Sequence, residues 1–209
     1  MKLDSRARKI FGRFPEDVKQ YFIKLDKKCQ KYKINLILGG GEQVNFGYGR
    51  CGGYFDDSGK VLKVAIKGSI ESVMAVALHE SSHLDQKISS NSVWYDSIVV
   101  SGYNRFFKHL SGQKIYKLDH AVQCAIALEK DCEQRAIQKI KKRWQKYINL
   151  DKYKANASAY LYSYLYMAKK GKWTKSPCIG KIRAHCPSKI LRNYSQIPKR
   201  LEMAFDRYL

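Results

Sequence analysis

The segment from Ile70 to Lys87 constrains the fold of this chain more than any other. Ile70, Val73, Met74, Ala77 and Leu78 recur at helical spacing and run straight into His79-Glu80-Ser81-Ser82-His83. The helix they predict therefore carries two imidazoles and a carboxylate close to its buried face. Ser69 stands before it as an N-cap, although Ser72 occupies the place where Glu or Gln would complete a capping box. Buried polar groups cost free energy unless they find partners. Whatever covers this helix must answer those groups as well as its apolar stripe.

The spacing has a chemical meaning. Residues four apart on a helix share a face, so His79 and His83 can both reach one Zn²⁺ at ~2.0–2.1 Å. Glu80 is rotated by ~100° from His79 and can reach a water activated by that ion, as general base. An open zinc site usually keeps three protein ligands, so a third is expected downstream.

The rest of the chain predicts an α+β fold with a small antiparallel sheet packed on a helical core. A helix is expected from Pro15 to about Lys31 on the spacing of Val18, Phe22 and Leu25, then a short strand over Ile34 to Leu38. Gly39, Gly40 and Gly41 end that strand; the Lys-Ser/Thr of a phosphate loop is missing, so a flexible turn is the expectation. Val44 to Lys67 alternates apolar and polar residues, with a hairpin turn at Asp57-Ser58-Gly59 before a strand over Val61 to Ile66. Ser89 to Gln113 reads as loop-rich. A long helix follows from about Leu118 to Trp144, and a Tyr-rich one from about Lys152 to Lys170. Residues 1–170 are expected to be one domain. Residues 171–209, with Pro177, Pro187 and Pro198 and many bases, are expected to be a basic tail.

The third ligand is expected on the long helix. Its apolar stripe runs through Val122, Ala125 and Ile126 and resumes at Ala136, Ile137, Ile140 and Trp144, and the positions that bridge the two halves are Glu129 and Glu133. Buried carboxylates need a cation or strong donors. A zinc ion held by two imidazoles on a facing helix would provide the former, while an ion pair with nearby Lys or Arg is the plainer explanation.

His79-Glu80-x-x-His83 followed by Glu129-Lys-Asp-Cys-Glu133 resembles the gluzincin metallopeptidases, a zincin-like class of zinc hydrolases. The resemblance implies that Glu129 is the third metal ligand and that Glu133 orients a ligating histidine. That family usually has Asp at the second place, and the longer arm of Glu133 leaves open which of the two binds the metal. In layout the chain also resembles small metallopeptidases encoded by bacteriophages, over about Lys19 to Trp144. The resemblance implies a protease, an endopeptidase cutting polypeptide substrates, with Val61 to Ile66 as the sheet-edge strand along which an extended peptide lies. Exposed strand edges do pair with extended chains.

Several alternatives remain at this level. The metzincin pattern is disfavoured, since Gln86 and Ser89 stand where it needs Gly and His. A third histidine ligand, His109 or His120, would instead suggest a protease that acts on DNA-bound protein. Tyr95, His120, Tyr160 and Tyr164 are candidate donors to a transition-state oxyanion, but Tyr160, Tyr164 and Tyr166 also suit packing. Cys178 and Cys186, with His185, could be soft ligands, although no fourth partner lies at a finger-like spacing. The remaining thiols are expected to be reduced.

Charge supplies the competing function class. Lys and Arg number 40 against 18 acids, for a net charge of +22, which attracts polyanions. A basic nucleic-acid- or virion-associated protein with a non-catalytic motif is therefore the second reading, and non-specific nucleic-acid affinity is compatible with either. Lys predominates over Arg and no base-readout motif is present. No apolar run approaches the ~20 residues of a membrane span, and the charged N-terminal segment lacks the apolar stretch of a secretory signal. The expected location is the cytoplasm, that of the host if a phage encodes the chain. Oligomeric state and substrate are not legible.

Overall fold

The computed structural model describes residues 1–47, 49–90, 92–174 and 180–209. They form two compact units, one of Met1–Ile88 with Lys142–Ile148, the other of Ser89–Lys141 with Asn149–Leu209. The fold is α+β. No helix among the described residues is long and apolar enough to cross a membrane.

The first unit opens with β1 (Lys2–Leu3), α1 (Ser5–Gly12) and α2 (Glu16–Lys31), then strands β2 (Asn35–Gly39), β3 (Val44–Phe46), β4 (Gly49–Cys51), β5 (Gly53–Asp56) and β6 (Val61–Ala65), and ends in α3 (Ile70–Ile88). Four strands make a sheet in the order β1-β2-β6-β5, while β3 and β4 pair as a separate ribbon. The larger sheet is mixed, not antiparallel as expected: β2 runs parallel to both β1 and β6, and only β5–β6 is antiparallel. The reason is the route of the chain. Three short strands intervene between β2 and β6, so β6 returns beside β2 in the same direction, whereas a tight hairpin joins β5 to β6.

That hairpin turns where expected. Asp56 Oδ1 accepts the Gly59 N–H at 2.9 Å and the Ser58 hydroxyl at 2.7 Å. The order also corrects the expected edge. β6 lies inside the sheet, and its neighbour β5 is the edge strand. The glycine run is a point of close approach and not merely a flexible turn: Gly40 N–H donates to Asp4 Oδ2 at 3.0 Å, and a Cβ on Gly40 would stand 2.7 Å from Ala7 N. Asp4 Oδ1 accepts the Ala7 N–H at 2.7 Å and so caps α1. These two backbone donors lower the Asp4 carboxyl pKa.

Helix α3 begins as its sequence suggests, with Ser69 Oγ accepting the Ser72 N–H at 3.2 Å. It packs on β5 and β6 and buries Val73, Met74, Ala77, Leu78 and Leu84. From α2, which buries Val18, Phe22, Leu25 and Cys29, the Tyr21 hydroxyl reaches Ala77 O at 3.2 Å and Ser81 Oγ at 2.9 Å.

The second unit holds α4 (Ser97–Leu110), α5 (Leu118–Lys139), α6 (Leu150–Lys170), α7 (Gly180–Arg183) and α8 (Lys199–Tyr208). Helix α4 occupies much of the stretch expected to be loop. Asp96 caps it through the N–H groups of Ile98 and Val99, and Phe106 and Leu110 fix its buried face. Helix α5 ends earlier than expected, passing at Ile140–Trp144 into a π-helical turn. Asn149 and the left-handed Gly171 delimit α6.

Within the segment 171–209, expected to be a basic tail, described residues from 180 onward instead help to build the core of this unit. Ile182, Tyr194, Leu201, Ala204 and Phe205 are buried in one cluster with Phe106, Val122, Ile126 and Tyr164. Gln123 Nε2 donates to Tyr194 O at 3.0 Å and Ser158 Oγ to Lys189 O at 2.6 Å. A few well-spaced apolar anchors hold the segment despite its bases. Phe205→Ala is accordingly expected to lower stability by ~3–5 kcal/mol, seen as an earlier chemical-denaturation midpoint with unchanged slope. A shift indistinguishable from zero would mean that α8 does not contribute to the folded core.

Candidate metal centre

In the first unit the site is built on the middle of α3. His79 and His83 face the same way, their ring centroids 4.9 Å apart and nearly perpendicular, as i,i+4 spacing requires. His79 is half-buried, while Glu80 and His83 are each 7% exposed. Gln86, fully buried one turn on, presents Oε1 to His83 Nδ1 at 2.8 Å.

Glycine lets α3 lie this close to the sheet. A Cβ on Gly53 would stand 2.7 Å from Val76 Cγ1, 2.8 Å from Lys63 O and 3.1 Å from Glu80 Cγ. The acid of the motif thus lies beside the first residue of the edge strand β5. Cys51, just before it, donates its thiol to Gly53 O at 3.1 Å, and burial, with the nearby Glu80 carboxylate, pushes its pKa up to about 11. That thiol stays protonated near neutrality and is a poor nucleophile.

In the second unit, Glu129 and Glu133 lie on the buried stripe of α5 together with Cys132. Each carboxylate accepts from a tyrosine of α6: Tyr164 Oη donates to Glu129 Oε1 at 3.0 Å, and Tyr153 Oη to Glu133 Oε2 at 2.7 Å. Strong donors thus accompany the two buried acids, one of the two compensations expected from the sequence. Burial and the Glu129 carboxylate raise the Tyr164 pKa well above its usual value. Tyr160 and Tyr164 share a hydrogen bond of 2.9 Å, so both are engaged in this network.

Within the first unit, His79 and His83 put two imidazoles one turn apart on α3, a pair that could hold a metal ion. Imidazoles are donors that zinc accepts. No family model matches the chain, and neither a curated protein nor a solved structure matches it.

Cys132, between the two acids on the buried stripe of α5, is a further side chain of a type that zinc accepts. Its residue type gives no signal in the sequence, because a buried Cys ordinarily behaves as a small apolar residue. The available clue was its place on the Glu129–Glu133 stripe. The proposed histidine alternatives are occupied elsewhere. His109 Nε2 donates to Ala168 O at 2.9 Å, and His120 Nδ1 lies 3.1 Å from Arg105 Nη2. Tyr95 is 53% exposed. Cys178 lies outside the described residues, so its suggested pairing with Cys186 and His185 receives no structural account.

Proposed function

We propose that this chain is a zinc-dependent metallopeptidase, an endopeptidase that hydrolyses peptide bonds in extended polypeptide substrates. The observation that carries the reading is the neighbouring His79 and His83 pair with the buried Glu80 between them on one helix. The histidines would hold the zinc, with a third protein ligand from α5: Glu129 by the gluzincin resemblance, or Cys132 as the thiol on the same buried stripe. When bound, zinc polarises the scissile carbonyl and lowers the pKa of a water towards ~7.

Glu80 supplies the proton traffic. Its carboxylate would take a proton from the attacking water and return it to the departing amine. The substrate would lie along β5, the edge strand in the order β1-β2-β6-β5, whose Gly53 leaves the backbone bare next to Glu80. Main-chain pairing of this kind tolerates varied side chains. Glu133 and its Tyr153 partner would orient the ligand set.

The test is the metal content of the purified full chain. One zinc per chain is expected, removed by His79→Ala and by a strong chelator, together with cleavage of an unfolded polypeptide that the chelator stops. A chain that takes up no zinc and binds duplex DNA with a steep salt dependence would sink the reading in favour of a nucleic-acid- or virion-associated protein, for which the +22 charge is the supporting observation.

A further inference from the structure

We infer that Gln86 is the positioning residue for His83, fixing which ring nitrogen is offered to the metal; the inference rests on the metal-binding reading above. An amide oxygen can only accept. With Oε1 placed 2.8 Å from Nδ1, the ring must carry its proton on Nδ1 and leave the Nε2 lone pair for coordination. Both residues are buried, Gln86 completely, so water cannot readily substitute for either partner.

Their i,i+3 relation on α3 makes the contact intrinsic to the helix. It needs no other element to form, and it stands in the same turn that carries the imidazole. This also accounts for a fully buried glutamine at a position where the helix is otherwise packed with Leu84 and Ser82. The chemistry of the partner matters too. Ligating histidines commonly donate their second nitrogen to a carboxylate, a carbonyl or water. A neutral amide holds the ring without adding negative charge, and so leaves the bound cation a stronger Lewis acid than a carboxylate partner would.

Two measurements test this on the full chain. The first is the ¹⁵N spectrum of His83 with and without zinc, which reports the tautomer directly. Protonated Nδ1 and metal-bound Nε2 are expected; a metal-bound Nδ1, or a zinc-free ring protonated on Nε2, overturns the inference and needs no variant. The second is zinc affinity by competition with a chromogenic chelator. Gln86→Met keeps the bulk and removes the acceptor, and is expected to weaken zinc binding ~10–100-fold. Gln86→Glu restores an acceptor at the same reach and is expected to bind at least as tightly as the parent. A folded Met variant with parental affinity overturns the inference. Should the parent chain take up no zinc, the proposed function fails, whereas the zinc-free ¹⁵N spectrum still decides whether Gln86 sets the His83 tautomer.

Discussion

Replacing Glu80 with Gln is expected to reduce peptide hydrolysis by ~10²–10⁴-fold, the range over which a positioned general base contributes to rate, while zinc content and thermal stability stay close to those of the parent. The amide matches the carboxylate in shape, so the packing against Gly53 and Val76 is preserved. What it loses is the capacity to take a proton. The loss should fall on kcat, since substrate binding along β5 would not involve Glu80, and KM should change little. A variant that retains zinc and cleaves the same unfolded polypeptide at the parental rate would remove Glu80 from the mechanism. The control is Glu80→Ala, which removes the acid and also leaves a small void, and so should be both inactive and less stable.

The sequence made this residue visible because helical periodicity and motif spacing agree there. The apolar stripe of α3, the cap at Ser69 and the His-Glu-x-x-His run all describe one helix, and the hairpin at residues 57–59 is equally local. Features that depend on which element lies beside which were not legible. Strand order made β5 and not β6 the edge, and no alternation pattern encodes that. Helix α4 was hidden because its buried face rests on few residues, among them Gly102, where a Cβ would meet Cys124 Sγ at 2.4 Å. Segment 171–209 was hidden because its anchors, Ile182, Tyr194, Leu201 and Phe205, are separated by prolines and bases that dominate its composition. Gln86 carries no signal in the sequence beyond not being Gly, because its informative property is a neighbour in space, His83.

The identity of the α5 ligand gives the second large effect. Loading the chain with Co²⁺ in place of zinc distinguishes a thiolate ligand from a carboxylate, because a sulfur ligand adds an intense charge-transfer band in the near ultraviolet and an oxygen ligand does not. If Cys132 coordinates, the parent shows that band and Cys132→Ser loses it. Zinc affinity should then fall by more than the ~10–100-fold that removal of an outer partner costs, while Glu129→Gln keeps both band and metal. If Glu129 coordinates, as the gluzincin resemblance implies, the parent shows no such band, Glu129→Gln loses the metal and Cys132→Ser retains it. The two outcomes carry different chemistry. A carboxylate ligand leaves a harder ion suited to polarising a carbonyl, whereas a thiolate donates more charge to zinc and makes the site liable to oxidation at sulfur. Tyr164 provides an independent check, because its hydroxyl donates to Glu129 at 3.0 Å. Tyr164→Phe should weaken zinc binding where Glu129 is the ligand and leave it unchanged where Cys132 is.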